Sequence, residues 1–169
     1  MVHAAVSGAP GERRGGLEIH AARTAEDVVA ARALILAYQA SLGIDLAFQD
    51  FAHEVATLPG GYAAPHGVLL LAVLDGTPVG CVGVRRCDAA ACEMKRLYVD
   101  PKARGSGAGR ALAEHAMAHA RALGYQSMRL DTLPSMAQAQ ALYGRLGFRD
   151  VPAYRENPVA GTRYLEARL

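Results

Sequence analysis

The pattern of the chain changes midway, and this change constrains the fold more than any other feature. Before it, Val68–Leu74 is an unbroken apolar run, as in a strand covered on both faces. Asp75 and Gly76 follow as a strong two-residue hairpin signal, and Pro78–Arg86 returns as the partner strand. With Cys92–Val99 as a third strand, this half of the chain predicts an antiparallel meander.

The second half has the order strand, helix, strand. A glycine-rich segment, Arg104–Gly109, precedes a predicted helix at Ala111–Leu123, and Ser127–Leu133 is predicted as the next strand. A connection of this length pairs its flanking strands in parallel through a right-handed crossover. Together the two halves predict one α+β domain, with a mixed, mostly antiparallel sheet and helices on both faces.

Cap and turn residues delimit the other helices. Thr24–Asp27 resembles a capping box and Gly43 a C-terminal stop, which together bound one amphipathic helix. A weaker helix is predicted at Phe48–Thr57. Ser135–Gln138 is a capping box for a last helix that ends at Gly147. Further strands are predicted at Leu17–His20, Phe148–Val151 and Arg163–Leu169.

Composition and charge narrow the classes of function. The 169 residues suit one domain, predicted at 17–169, with Met1–Gly16 as a flexible tail that lacks the apolar run of a signal peptide. The net charge of +2 gives no reason to expect a nucleic-acid partner, and no apolar stretch is long enough for a membrane helix. Three cysteines without CxxC spacing argue against disulfides and structural zinc, and they predict a cytoplasmic protein.

The segment Arg104–Gly109 carries the strongest chemical signal. A strand runs into glycines that open a helix, where unpaired backbone N–H groups and the helix dipole favour an anion such as phosphate. A Rossmann dinucleotide site would begin a series of βαβ units, whereas this unit follows a meander. A Walker A loop would need Gly-Lys-Ser/Thr, which does not follow here. A glycine-rich helix entry without a ligand is the remaining alternative.

The sequence resembles the GNAT superfamily of N-acetyltransferases in three places. Arg104–Gly109 matches the family signature (Gln/Arg)-x-x-Gly-x-(Gly/Ala), and Lys95–Val99 is similar to the family's fourth strand. The segment Ala139–Phe148, which contains Tyr143, is similar to the family's second motif. Each segment alone is a weak signal, but their order and spacing match as a set.

This resemblance implies acetyl-CoA as co-substrate. The amides of the glycine segment would bind the pyrophosphate. The pantetheine arm would lie along the fourth strand, where the family's parallel strand pair splays apart and leaves backbone groups free. The Leu97 amide region would polarise the thioester carbonyl. The implied cofactor-binding residues are Leu97, Tyr98, Val99, Arg104, Gly105, Ser106, Gly107, Ala108, Gly109 and Arg110.

The resemblance also implies catalytic roles for Glu93 and Tyr143. Glu93 matches the position of a general base in part of the family, and strand alternation predicts that it shares a face with Leu97, four residues later. Tyr143 matches the acid near the cofactor sulfur. Transfer would then be direct, in a ternary complex and without a covalent enzyme intermediate. Two simpler alternatives stay open: Glu93 pairs with Lys95, Arg96 or Arg129, and Tyr143 is a core aromatic.

Three other features of the sequence bear on the chemistry. Cys92 is either an acyl-carrying nucleophile or, more simply, a small buried strand residue. His115 and His119 are four apart on a helix, but we interpret them as a helix-flank pair and predict no metal site. Met136 stands where many GNAT members have the asparagine that contacts the cofactor, so the contacts from that helix stay open.

The acceptor is predicted only as a class, a small-molecule or peptide amine. Positive side chains in the second and third predicted strands favour an acceptor that carries a carboxylate. These side chains are Arg85, Arg86, Lys95 and Arg96. The candidates for the acceptor cleft are Tyr38, Phe48, Tyr62, His66, Tyr154, Arg155, Glu156 and Asn157. A non-catalytic acyl-CoA-binding or sensing domain and a nucleotide-binding module are the alternatives to an enzyme. The resemblance is compatible with a homodimer.

Overall fold

The computed structural model of the protein describes residues 16–169, which form one seven-stranded sheet with four α-helices. Its elements are β1 (Leu17–Ala21), α1 (Ala25–Leu42), α2 (Phe51–Thr57), β2 (Val68–Leu74), β3 (Thr77–Arg86), β4 (Ala91–Val99), α3 (Ala108–Ala122), β5 (Ser127–Thr132), α4 (Ala137–Arg145), β6 (Arg149–Asp150) and β7 (Arg163–Arg168). Short 3-10 turns at Ala47–Gln49, Gly60–Tyr62 and Pro101–Ala103 complete the connections. Apart from Gly16, the predicted tail lies outside the described residues and stays a prediction.

The sheet has the predicted mixed topology. Its strand order is β1-β2-β3-β4-β5-β7-β6. Only the central pair, β4 with β5, is parallel, and every other neighbouring pair is antiparallel. The α+β prediction is therefore confirmed, and so is the change from meander to crossover. None of the helices within residues 16–169 combines the length and the apolar character needed to span a bilayer.

The parallel pair separates after a short start, as the resemblance implied. β4 and β5 are paired only from Ala91–Ser127 to Glu93–Arg129. Beyond that point β4 stays bonded to β3 as far as Val99, while β5 stays bonded to β7. The gap leaves backbone groups of β4 without a neighbouring strand, which gives a bound molecule the chance to act as one.

Two apolar cores cover the two faces of the sheet. One contains α3 residues such as Leu112 and Ala116, together with Leu142 and Tyr143 of α4. The other lies under α1 and α2 and contains Ile35, among others. Helices therefore cover both faces, as predicted, and the gap between β4 and β5 opens between these two layers.

The predicted caps have mixed outcomes. In α1 the capping box is confirmed: the Thr24 hydroxyl accepts from the Asp27 amide at 3.1 Å, and the Asp27 carboxylate accepts from the Thr24 amide at 3.0 Å. The capping box at Ser135–Gln138 is wrong. The chain first makes a turn, with the Met136 amide bonded to the Leu133 carbonyl, so α4 begins late and has Met136 as its N-cap without a side-chain bond.

Gly83 is predicted to tolerate no side chain. A Cβ at this position would lie 2.5 Å from Cε1 of Tyr62, whose ring is buried and whose hydroxyl donates to Glu54 at 2.7 Å. The ring cannot move away without losing that bond. We expect Gly83→Ala to lower the free energy of unfolding by about 1–3 kcal/mol in a urea titration. Gly144→Ala is the control, because no atom lies within 4 Å of its added Cβ; equal losses in both variants would contradict the explanation.

Candidate active site

The glycine segment turns directly into α3. Gly105 and Gly107 have φ values of +85° and +86°, a region that favours glycine, and Gly107 is the N-cap of the helix. The helix therefore begins at Ala108, three residues earlier than the predicted Ala111–Leu123, because the left-handed glycine reverses the chain in one step. As a result, the first turn of α3 belongs to the glycine segment itself.

Several backbone amides at this helix start have no internal partner. The Ala108 amide donates to the Ser106 hydroxyl at 3.3 Å. No acceptor within residues 16–169 is found for the amides of Gly107, Gly109 and Arg110. Free amides and the positive end of a helix dipole favour a bound anion, as the sequence predicted.

A bulge in β4 changes which side chains face the same way. Lys95 pairs with Gly83 and Tyr98 with Cys81, so that Arg96 and Leu97 together face one residue of β3. Arg96 takes up the extra residue with a φ of 60°. Side-chain alternation shifts by one after this point. The prediction that Glu93 and Leu97 share a face is therefore wrong: Leu97 packs against the α3 core, and Glu93 faces the side of α1 and α2.

A cleft of about 910 Å³ follows the gap between β4 and β5 and reaches the glycine segment. This volume is typical of a small-molecule site. Of the predicted site residues it is lined by Leu97, Tyr98, Val99, Arg104, Gly105, Gly107, Ala108, Gly109, Arg110 and Tyr143. Ser106 and Glu93 are not part of its lining. One continuous space thus joins the start of α3 to the predicted acid.

Tyr143 presents a protonated hydroxyl to this cleft. Its ring is 6 % exposed and packs edge-on against Phe148, with ring centroids 5.7 Å apart. Within the described residues the hydroxyl has no hydrogen-bond partner. Burial raises the pKa of Tyr143, and the negative forms of Tyr38 and Asp131 act in the same direction. The group therefore holds its proton at neutral pH, as a proton donor must.

Glu93 lies in a separate buried ion-pair cluster. Its side chain is 1 % exposed, and one carboxylate oxygen accepts from Arg85 at 3.0 Å. The other oxygen accepts from Arg155 and, at 3.1 Å, from the Tyr154 hydroxyl. Because Tyr154 and Arg155 belong to the segment between β6 and β7, the carboxylate fastens that segment to the sheet. The sequence alternative that Glu93 pairs with a neighbouring cation is realised, although the partners differ from those it named.

Three charged side chains stand where the strands separate. Arg96 is fully engaged, since it donates to both oxygens of Glu54 at 2.9 and 2.8 Å and lies 5.0 Å from the ring centroid of Phe51. The Lys95 ammonium donates to the Gln49 amide oxygen at 2.9 Å and lies 4.0 Å from the Asp131 carboxylate. Burial lowers the pKa of Lys95 to about 8.

The acceptor candidates divide into two groups. Tyr38, Phe48 and Asn157 line the cleft. The others do not. Tyr62 is buried beneath Gly83, Tyr154 and Arg155 belong to the Glu93 cluster, and His66 and Glu156 also lie outside the cleft lining. Asp131 is a cleft residue that the sequence analysis missed. Alternation in β5 puts Asp131 on the same face as Arg129, but its position opposite Lys95 depends on the pairing of distant strands.

The structure also bears on the two remaining chemical alternatives, a nucleophilic Cys92 and a metal site at His115. Cys92 is fully buried, and burial raises the pKa of its thiol to about 12, which favours the interpretation as a packed strand residue. The imidazole Nδ1 of His115 lies 2.8 Å from the Ala111 carbonyl oxygen of its own helix. Residues 16–169 contain no group of three or more His, Cys, Asp or Glu side chains arranged to hold a metal ion.

Comparison with known families decides the kinship of the chain. Residues 24–148 match the model of the acetyltransferase (GNAT) family, which is well over half of the sequence. The chain belongs to the GNAT acetyltransferase family. An uncharacterised N-acetyltransferase of Schizosaccharomyces pombe is 36 % identical over 155 residues, which cover 90 % of this GNAT chain and 95 % of the yeast protein.

Other relatives extend this kinship. The N-acetylaspartate synthetase of Rattus norvegicus is 33 % identical over 130 residues, which cover 75 % of this chain but only 44 % of the rat protein. An acetyltransferase structure from Streptococcus agalactiae has a TM-score of 0.74 at 24 % identity and covers 91 % of this chain and 99 % of that one. A GNAT acetyltransferase from Elizabethkingia anophelis, solved with acetyl-CoA bound, has a TM-score of 0.60 at 21 % identity and covers 92 % and 100 %. The two structures support the GNAT fold.

Proposed function

We propose that this GNAT protein is an N-acetyltransferase that moves the acetyl group of acetyl-CoA to a primary amine by direct attack. The observation that carries the proposal is the single cleft that joins the free amides at the start of α3 to the hydroxyl of Tyr143. The S. pombe relative is named an N-acetyltransferase, and the E. anophelis neighbour binds acetyl-CoA. Both support the choice of donor and reaction.

The cleft residues fit a CoA thioester. The amides of Gly107, Gly109 and Arg110 would bind the pyrophosphate, and Arg104 would add positive charge at the same end of the cleft. The unpaired edge of β4 would bond to the pantetheine amides as a strand would. Acetyl-CoA supplies an activated acyl carbon, and the amide region at Leu97 would stabilise negative charge on its carbonyl oxygen.

Proton transfers complete the reaction. The acceptor nitrogen must be neutral to attack, and on forming the amide it gives up a further proton while the C–S bond breaks. The hydroxyl of Tyr143 would supply a proton to the departing sulfur and regain one afterwards. Glu93 stays the predicted base. Since its carboxylate does not line the cleft, that role requires a bridging water.

Ligand-induced stabilisation tests the donor. At 100-fold over its dissociation constant a ligand of the native state adds about 2.7 kcal/mol, which should raise Tm by about 5–10 °C for a domain of this size. We expect such a shift with acetyl-CoA and with CoA, but not with ATP or NAD. A shift only with ATP or NAD would favour a nucleotide-binding module. Binding of acetyl-CoA without transfer to any amine would favour the sensing alternative.

Substitutions at Gly107 locate the bound anion. Nothing lies within 4 Å of an added Cβ there, and aspartate and asparagine both tolerate its left-handed backbone. Gly107→Asp places a negative charge where the pyrophosphate would bind, whereas Gly107→Asn has the same shape without the charge. We expect the Asp variant to lose the acetyl-CoA shift and the Asn variant to retain much of it. Equal acetyl-CoA affinities in the two variants would contradict the assigned phosphate site.

A further inference from the structure

The separated ends of β4 and β5 hold two opposite charges that face each other across the cleft. The Lys95 ammonium and the Asp131 carboxylate are 4.0 Å apart, and their side chains are 3 % and 10 % exposed. Both residues line the cleft. Lys95 lies four residues before Val99, about 13 Å along the strand from its end at the glycine segment. The pair therefore stands at the acceptor end of the cleft and away from the proposed phosphate site.

Lys95 has no carboxylate at hydrogen-bond distance, unlike the neighbouring arginines of this face. Arg85 and Arg155 donate to Glu93, and Arg96 donates to both oxygens of Glu54. The Lys95 ammonium has three donors, but its one hydrogen bond is to the neutral Gln49 amide oxygen. A buried ammonium with unused donors favours an anionic partner. Of the four cations that the sequence analysis associated with a carboxylate acceptor, Lys95 and Arg96 line the cleft. Arg96 is bound to Glu54, so Lys95 is the one available to an acceptor carboxylate.

Asp131 has the complementary capacity. One of its carboxylate oxygens accepts from the Asn157 amide at 3.2 Å, and Lys95 is too distant for a hydrogen bond to the other. A carboxylate offers about four acceptor sites, so several are free for an ammonium. Asp131 and Tyr143, the proposed acid, both line the cleft, and the charge of Asp131 helps to raise the pKa of Tyr143. An amine bound by Asp131 would therefore be close to the reacting carbon.

We infer that the acceptor is a small amino acid-like molecule, whose carboxylate is bound by Lys95 and whose amine is bound by Asp131. The inference rests on the proposed function and names its substrate class. In an α-amino acid one carbon separates the two charged groups, which suits two opposite charges that lie this close together.

The charge of the whole cleft disfavours polycationic amines as acceptors. Among the described residues that line the cleft, Asp131 is the single carboxylate. The cations that line it are Lys95, Arg96, Arg104, Arg110 and Arg145. A polycationic acceptor, such as a polyamine or a lysine-rich peptide, would therefore meet net repulsion, whereas a zwitterion would not.

Matched substrates test the inference on the unaltered protein. Each L-amino acid is assayed with acetyl-CoA beside the primary amine that lacks its carboxylate, for instance phenylalanine beside phenethylamine. We expect kcat/KM to be at least tenfold higher for at least one amino acid than for its matched amine. Amines that are acetylated as well as their amino acids, or an absence of transfer to every amino acid, would overturn the inference. Acetyl-CoA binding, measured separately by the Tm shift, shows whether the proposed function fails with it.

Substitution of Lys95, with Lys102 as a control, tests which residue binds the carboxylate. Lys95→Met should abolish the preference of at least tenfold, because it should raise KM for the amino acid more than KM for the matched amine. Lys102→Met is the control, because Lys102 is exposed and outside the cleft lining. A preference that survives Lys95→Met would overturn the assignment of the carboxylate to this lysine.

The pH dependence of carboxylate binding gives a second measurement. Burial lowers the pKa of Lys95 to about 8, so the ammonium loses its charge as the pH rises through that value. The other charged groups that act on it are Glu93, Asp131, Arg96 and Arg155. Competitive inhibition by hydrocinnamate, a carboxylate without an amine, should therefore weaken above about pH 8. Inhibition that is constant from pH 7 to 9 would contradict binding by Lys95.

Discussion

Tyr143→Phe is expected to lower kcat by about 100-fold or more, which is the usual contribution of a positioned general acid. The ring keeps its packing against Phe148, and the lost hydroxyl has no hydrogen-bond partner among the described residues. Folding and acetyl-CoA affinity should therefore change little. The measurement is steady-state kinetics at saturating acetyl-CoA, with Tm as the check on folding.

Tyr164→Phe provides the matched control. The Tyr164 ring also packs edge-on against an aromatic ring, that of Tyr154, with the two ring centroids 5.4 Å apart. Tyr164 does not line the cleft. Its substitution should leave kcat unchanged. If Tyr143→Phe retains full kcat while a pre-steady-state assay shows that acetyl transfer limits the rate, Tyr143 is a core aromatic and not the acid.

Glu93→Gln is expected to lower the free energy of unfolding by about 3 kcal/mol, because the carboxylate is buried and its loss leaves two guanidiniums without their counter-charge. Arg85 and Arg155 are 31 % and 23 % exposed, so water offsets part of the cost and places the effect at the low end of the range for buried pairs. Urea titration measures the loss. The control is Glu166→Gln, because the Glu166 carboxylate is 30 % exposed where that of Glu93 is 1 % exposed, and it should cost less than about 1 kcal/mol.

Kinetics of the same variant separate the two roles of Glu93. If the carboxylate is the base, Glu93→Gln should lower kcat by about 100-fold or more. If it only anchors the segment that carries Tyr154, kcat should change little. KM for the acceptor should then rise, since Asn157 of that segment bonds to Asp131. An unfolding free energy and a kcat that both match the unaltered protein would exclude either role.

The glycine segment shows how much local sequence can predict. The backbone conformation of Arg104–Gly109 depends on the residues of that segment itself, and Gly107 takes the left-handed conformation that opens a helix. The predicted start of α3, at Ala111, is three residues later than the observed start at Ala108, because the apolar periodicity of the helix is visible in the sequence only from Ala111 onward. The second capping box failed for a related reason, since the turn at Leu133–Met136 moved the start of α4 beyond reach of the Ser135 hydroxyl.

The side-chain direction of Glu93 relative to Leu97 shows what local sequence cannot predict. Alternation along β4 predicted a shared face with Leu97, but the bulge at Arg96 inserts one residue and reverses the direction of every side chain after it. A bulge depends on how β4 pairs with β3, and no local pattern in the sequence marks it. Its consequence is functional, because Lys95 and Arg96 both face the layer of α1 and α2.

The sequence by itself determined the α+β order of elements, the hairpin, the cap of α1 and the glycine-rich entry to α3, since each depends on neighbours along the chain. Tertiary structure alone decided that Asp131 faces Lys95, that Glu93 is bound by Arg85 and Arg155, and that Tyr143 meets the glycine segment in one cleft. These contacts join residues that are distant in sequence. Strand register and the single-residue bulge set them, and both arise only when the whole sheet is assembled.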